Sequence, residues 1–193
     1  TISMHQSVSL ALGVLLSCFS LDGPRHKVVS TDMIFPSVYY VWREILPPSM
    51  RLELVPSNDG IGVDLDRLID AIDEDTMFVS LDHVFFRTAY IVDAARVIEK
   101  AHQVGARVIL DAYHSVGIVP LDVTALNVDY MLAGVLKWMC GGPGGVFLYT
   151  RPDHLRTLRP KLTGWMAHKR PFGFEVDAVD YREDAFRMLN GTP

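Results

Sequence analysis

The stretch from Val108 to Gly145 reads VILDAYHSVGIVPLDVTALNVDYMLAGVLKWMCGGPGG. A short apolar run, Val108 to Leu110, ends in Asp111, and His114 follows three residues later. After an acidic connection marked by Pro120, a second apolar run, Tyr130 to Leu136, ends in Lys137 and passes directly into a Gly-rich turn. Each run reads as a buried strand that delivers one ionisable residue at its C-terminal end. In open α/β sheets, sites form at those ends.

Working outward, strands and helices alternate. Lys27 to Ser30, Arg51 to Val55 and Met77 to Leu81 read as strands. Val38 to Leu46, closed by Pro47-Pro48, reads as a helix, as does Asp64 to Ile72, with Leu65, Leu68, Ile69 and Ile72 on one face. Ile91 to Val104 is a third helix, with Gly105 in the position that ends helices in a left-handed turn. At the start, Val8, Leu12, Leu15, Leu16 and Phe19 have helical spacing, which predicts a helix over Ser3 to Phe19 with Ser3 as its cap. Asp22-Gly23-Pro24 stops it. Gly145 to Tyr149 is a further strand and Pro152 to Leu158 a short helix; beyond Pro160 the chain is loop-rich. The expected architecture is α/β, a mostly parallel sheet flanked by helices on both faces. The link from the Lys137 strand to the Gly145 strand is too short for a crossover helix, so one antiparallel strand is expected.

Composition narrows the function classes. With 193 residues, 49% hydrophobic and 21% charged, the chain can bury a real core. A net charge of −5 provides no basic footprint for nucleic acid. The apolar stretch Ser9 to Leu21 is too short to span a bilayer and lacks the basic flank of a signal peptide. Two cysteines, Cys18 and Cys140, make no disulfide framework and suit a reducing, cytoplasmic compartment. The chain opens on Thr1 and closes on a loop-like Gly191-Thr192-Pro193, as a piece of a longer protein would.

An acid and a lysine at neighbouring strand ends suit pyridoxal 5'-phosphate. That cofactor needs a lysine for its Schiff base and an acid against its pyridinium nitrogen. Each residue also has a plainer role open to it. Lys137 would otherwise be a surface lysine, Asp111 a helix cap, His114 a structural histidine and Phe35 a core aromatic. Gly141 to Gly145 resembles a phosphate loop but lacks the Lys-Ser/Thr ending of nucleotide-binding loops; it reads as a turn that allows close backbone approach.

In Phe35-Pro36-Ser37, His83-Val84 with Arg87-Thr88, Asp111 to Gly117, Lys137-Trp138 with Gly141 to Gly144, Gly164-Trp165 with His168 and Pro171-Phe172, and Gly191-Thr192-Pro193, the chain resembles the class V aminotransferase family of fold-type I pyridoxal-phosphate enzymes, and within it the kynureninases. The likeness covers essentially the whole chain. It implies that residues 1–193 form the large, cofactor-binding domain, with an N-terminal segment and a C-terminal small domain outside the chain. It implies Lys137 as the Schiff-base lysine, Asp111 at the ring nitrogen, His114 beside the ring or its 3-oxygen, and Phe35 packed on the ring. Ile2 and Ser3, placed before the first helix, would hold the phosphate, joined by the Trp165 indole and by Thr192 from a partner subunit of a homodimer.

The activity implied is kynureninase-like hydrolysis of a Cβ–Cγ bond in an amino-acid substrate, releasing alanine. The alternatives are class V transamination or cysteine desulfuration and, from another class, a cofactor-free scaffold of the same fold. The chain departs from the kynureninase pattern at Val38, where Asp is usual, at Leu136, where Tyr is usual, at Phe85 in place of Asn, and at Ala89 in place of Gly.

Overall fold

A computed structural model describes residues 1–192; Pro193, the last residue of the closing motif, lies outside them. Seven strands form one sheet: β1 (Ile2–His5), β2 (Lys27–Thr31), β3 (Arg51–Val55), β4 (Thr76–Asp82), β5 (Arg107–Asp111), β6 (Tyr130–Gly134) and β7 (Val146–Thr150). Their order across the sheet is β1-β7-β6-β5-β4-β2-β3. The pairings from β3 through β6 are parallel, and β7 runs antiparallel to both β6 and β1. The sequence expectation of a mostly parallel sheet with one reversed strand is met, for the reason given: too few residues separate β6 from β7 for a crossover.

Helices α1 (Val8–Leu16), α2 (Pro36–Ile45), α3 (Leu65–Asp70), α4 (Ala94–Gln103) and α5 (Pro152–Leu155) cover the two faces. Leu12, Leu15 and Leu16 of α1 and Trp42 of α2 pack with Phe78, Ile109, Tyr130 and Leu148 on one face. Leu68 of α3 and Val97, Ile98 and Ala101 of α4 pack with Val79, Leu81, Val108 and Leu110 on the other. Along β5, and along β4 from Phe78, alternate residues divide between these clusters, so both faces of the sheet's centre are covered. Most helix starts follow side-chain caps written in the sequence. The Ser7 hydroxyl accepts from Leu10 N–H, Asp64 from Arg67 N–H and Asp93 from Arg96 N–H. At α2, Pro36 supplies the preset first turn instead. Gly105 takes φ +75 past the end of α4, as its position predicts.

The start of the chain departs from expectation. Ser3 caps no helix. Residues 2–5 are a strand, paired Ile2↔Tyr149 through His5↔Val146, and the helix begins five residues after Ser3. The helical spacing is real but starts at Val8. Upstream of it, Ser3 and His5 are buried while Ile2 and Met4 are exposed, a period of two that the sheet edge at β7 selects. The second key strand is also shorter than its apolar run. It stops at Gly134, which leaves Val135 to Lys137 in a bend.

Candidate active site

The strand ends converge on one cleft of about 260 Å³. It is lined by Asp111, Tyr113 and His114 after β5, by Leu136, Lys137, Pro143 and Gly144 from the loop after β6, by Phe35 and Ser37 at the start of α2, and by Gln6, Ser7, Val8 and Ser9 at the start of α1. Four of the residues singled out from sequence, Lys137, Asp111, His114 and Phe35, therefore meet.

Asp111 is the last residue of β5 and is buried, with a carboxylate oxygen that accepts Tyr113 N–H at 2.9 Å. Burial raises its pKa to about 6, against the smaller pull of that N–H. Tyr113 beside it is pushed up by burial and by the Asp111 charge. His114 is held below its ordinary range, first by burial and then by the Lys137 charge. A neutral imidazole there can donate at one nitrogen and accept at the other. Its ring lies 5.8 Å from that of Phe35 and 6.2 Å from that of Phe86, and Phe35 meets Phe86 edge-on at 5.0 Å. Phe35 and His114, backed by Phe86, give the cleft one aromatic wall, suited to a flat π-system.

Lys137 stands on a loop rather than at a strand end. The loop is pinned at its base, where Val135 N–H donates to Gly145 O at 2.8 Å and Gly141 N–H to Val135 O at 2.7 Å. A Cβ at Gly141 would lie 2.6 Å from the Val135 side chain, so this closure requires glycine. The turn reading of Gly141 to Gly145 holds, and its effect is to present Lys137 to the cleft, exposed in the single chain.

The phosphate residues read from sequence need correction. Ile2 is 55% exposed on edge strand β1, and Ser3 is buried with its hydroxyl 2.9 Å from His5 Nε2; neither lines the cleft. The helix start that does line it is Gln6 to Ser9. Its first N–H groups have no acceptor within the helix and carry the positive end of its dipole, which suits a phosphate. Ser7 adds a hydroxyl. The signal for it was a Ser directly before the first apolar position of the helical run, one turn after the residue chosen.

Trp165 and Thr192 also lie elsewhere in the single chain. The Trp165 indole N–H donates to the Thr192 hydroxyl at 3.3 Å, and neither residue lines the cleft. An adjoining hollow that holds Thr192 shares Gln6 and Gly144 with it.

Sequence reasoning missed Asp82, the last residue of β4. It is 4% exposed and pairs in register with Asp111. Its signal was an acid at the end of an apolar strand, the same one that marked Asp111.

Of the departures from the kynureninase pattern, Val38 and Phe85 are core residues, and Phe85 stacks on Tyr90 at 5.6 Å. Ala89 takes φ +59, a conformation that favours the glycine usual there. Leu136 lines the cleft without a hydroxyl. The donor set, a lysine and a buried acid on one cleft with an aromatic wall and a helix start, fits pyridoxal phosphate.

Comparison with known proteins agrees. The family model "Aminotransferase class-V" matches residues 7–193. An uncharacterized aminotransferase, YcbU of Bacillus subtilis, is 34% identical over 192 residues, all of this chain and 50% of that protein. The kynureninase of Geobacillus thermodenitrificans is 31% identical over 183 residues, 92% of this chain and 41% of the enzyme. The chain thus spans about half the length of the curated relatives it matches. Among solved structures, a cysteine desulfurase from Thermococcus onnurineus superposes with a TM-score of 0.87 at 23% identity, covering all of this chain and 48% of that one. The cystine C-S lyase C-DES does so at 0.85 and 20%, covering all of this chain and 51% of that one. At those identities the likeness is one of fold. The chain belongs to the class-V aminotransferase family of pyridoxal-phosphate-dependent enzymes.

Proposed function

We propose that this chain is the cofactor-binding large domain of a pyridoxal-phosphate enzyme that hydrolyses a Cβ–Cγ bond of an amino acid, in the manner of a kynureninase, and that the enzyme works as a homodimer. The observation that carries the reading is that Lys137, Asp111, His114 and Phe35 line one cleft whose floor is the start of α1. The likeness to kynureninases over 92% of the chain supports it.

In this reading the start of α1 and the Ser7 hydroxyl bind the phosphate, and Phe35 packs on the ring. Thr192 adds a contact from the partner subunit. Asp111, ionised, accepts a hydrogen bond from the ring nitrogen. The cofactor, when bound, supplies an electron sink for the pair left at the substrate Cα. Lys137 tethers the cofactor and, once displaced by substrate, moves the proton at Cα as a general base, which requires its amine to be neutral. Tyr113 and His114 are the donors in the cleft that can face a developing oxyanion.

A second reading, amino exchange with a keto acid, is favoured by one feature. Leu136 stands at the cleft where kynureninases usually carry a tyrosine, and the 34% identical relative is described as an aminotransferase.

Two measurements on the full-length protein test the proposal. Borohydride reduction after loading with pyridoxal phosphate, followed by peptide mapping, places the label on Lys137; a label on other lysines alone ends the assignment. Assay with kynurenine, 3-hydroxykynurenine, cysteine, and an amino acid plus a keto acid then sorts the reaction. Anthranilate (from kynurenine) or 3-hydroxyanthranilate, released with alanine, supports hydrolysis. Amino exchange without either aromatic acid selects the second reading, and sulfide release a desulfurase.

A further inference from the structure

Two carboxylates sit side by side in the sheet. Asp82 and Asp111 end the neighbouring parallel strands β4 and β5, are register partners, and are 4% and 7% exposed. Register partners on adjacent strands project from the same face, with backbones about 4.8 Å apart. Asp111 borders the cleft; Asp82 stands behind it and does not line the cavity.

The groups around the pair leave its charge uncompensated. On the Asp82 side, the Phe35 backbone N–H at the start of α2 points to the carboxylate. The next residue, His83, is kept neutral by burial. At the end of β2, Asp32 is another acid, exposed and engaged by Ser57 N–H at 2.9 Å. On the Asp111 side stand Tyr113 N–H, the Tyr113 phenol and His114, with Lys137 across the cleft. No cation is among the groups that shift either carboxylate.

Two buried carboxylates this close, without a cation between them, cannot both ionise; one keeps a proton. Asp111 borders the cleft and its carboxylate already accepts Tyr113 N–H, whereas Asp82 is enclosed behind it, where burial and the neighbouring Asp111 charge push it up; the proton is therefore placed on Asp82. A protonated carboxyl is a donor, and its nearest strong acceptor is Asp111.

We propose that Asp82 is a positioning residue of the site: it keeps its proton, donates it in a hydrogen bond to Asp111, and so fixes Asp111 as the ionised group that faces the cofactor ring nitrogen. This rests on the reading of Asp111 given above. Asp82 itself touches neither substrate nor cofactor. The arrangement gives Asp111 one defined rotamer and keeps the net charge of the pair at −1, matched to one pyridinium.

The test uses the full-length protein, Asp82→Asn and Asp82→Leu, with Asp82→Ser in reserve should leucine prevent folding. In the empty protein, difference infrared spectroscopy follows the carbonyl stretch of protonated carboxyls through a pH titration. The wild type is expected to keep such a band at pH 7 that Asp82→Asn lacks. Titration with pyridoxal phosphate, read by absorbance, is expected to show Asp82→Asn, which retains a donor, within about threefold of wild type. Asp82→Leu or Asp82→Ser is expected to bind at least tenfold more weakly.

A wild-type spectrum without the band, or cofactor affinity in Asp82→Leu equal to wild type, overturns the proposal. If the wild type binds no cofactor, the functional reading falls on that result, while the infrared band still decides whether the pair shares a proton.

Discussion

Gly134, the last residue of β6, lies under the ring of Tyr113 so closely that a Cβ at 134 would overlap it. The strand that leads to the Lys137 loop and the strand that ends in Asp111 are thus locked together at the cleft by the absence of a side chain. Gly134→Ala must move the Tyr113 ring, which can swing. Gly164→Ala would meet the Asn190 backbone at 2.6 Å, which cannot. Overpacking costs about 1–3 kcal/mol. We expect Gly134→Ala at the low end and Gly164→Ala at the high end in denaturant unfolding. Gly134→Ala should also weaken cofactor binding severalfold, since it displaces a residue that lines the cleft. Equal cofactor affinity in Gly134→Ala and wild type would show that Tyr113 has no part in the site.

Ser7 has two roles that can be separated. Ser7→Ala should lose about 1 kcal/mol of stability with the cap at Leu10 N–H, and cofactor affinity with the hydroxyl. Ser7→Asp should keep the stability, because Asp also caps and suits the helix dipole, yet bind cofactor more weakly still by repelling its phosphate. Cofactor titration alongside thermal melting checks both. Undiminished affinity in Ser7→Asp would move the phosphate away from α1.

Asp111→Asn should lower turnover about 10- to 100-fold, the worth of a charge-assisted hydrogen bond of about 1.5–3 kcal/mol. Its effect on the empty protein should have the opposite sign. The folded pKa is raised from 3.8 to about 6, so the stability it contributes is complete below 3.8 and is lost as pH rises through 6. At pH 8 the empty Asp111→Asn protein should therefore be more stable than wild type, by at most about 3 kcal/mol. Melting curves at pH 4 and pH 8 test the sign, and a loss of stability at pH 8 would refute it.

His5 supplies the reverse slope. Burial depresses its pKa from 6.5 to about 4, so its contribution is present above 6.5 and lost as pH falls through 4. His5→Gln should flatten that acid limb, worth about 3 kcal/mol at most. The His5 and Asp111 slopes oppose each other over nearly the same window. The wild-type curve should be shallow there, and each variant should uncover the slope of the other group in a pH series of unfolding midpoints.

What could be read from residues alone was whatever short-range physics dictates. β5 carries an apolar run, Val108 to Leu110, β3 alternates, the capped start of α3 follows Asp64, and Gly105 stops α4. The short β6–β7 link forces a reversal wherever it occurs. Lys137 and Asp111 were legible as residues that meet at one cleft because ionisable residues that interrupt apolar runs are scarce, and sheet topology assigns their end of the strands to ligands. Three things needed the tertiary structure. The chain start became strand β1 because the edge of β7 was open to pair with it, a long-range contact that local periodicity around Val8 cannot report. That pairing moved the helix start at the cleft from Ser3 to Ser7. Lys137 came to stand on a loop because Val135 and Gly145 close a hydrogen bond across it, which ends β6 three residues before the lysine. Asp82 joined Asp111 because strands 29 residues apart in sequence at those positions, 82 and 111, lie side by side in register, and only that register turns two separate strand ends into one buried acid pair.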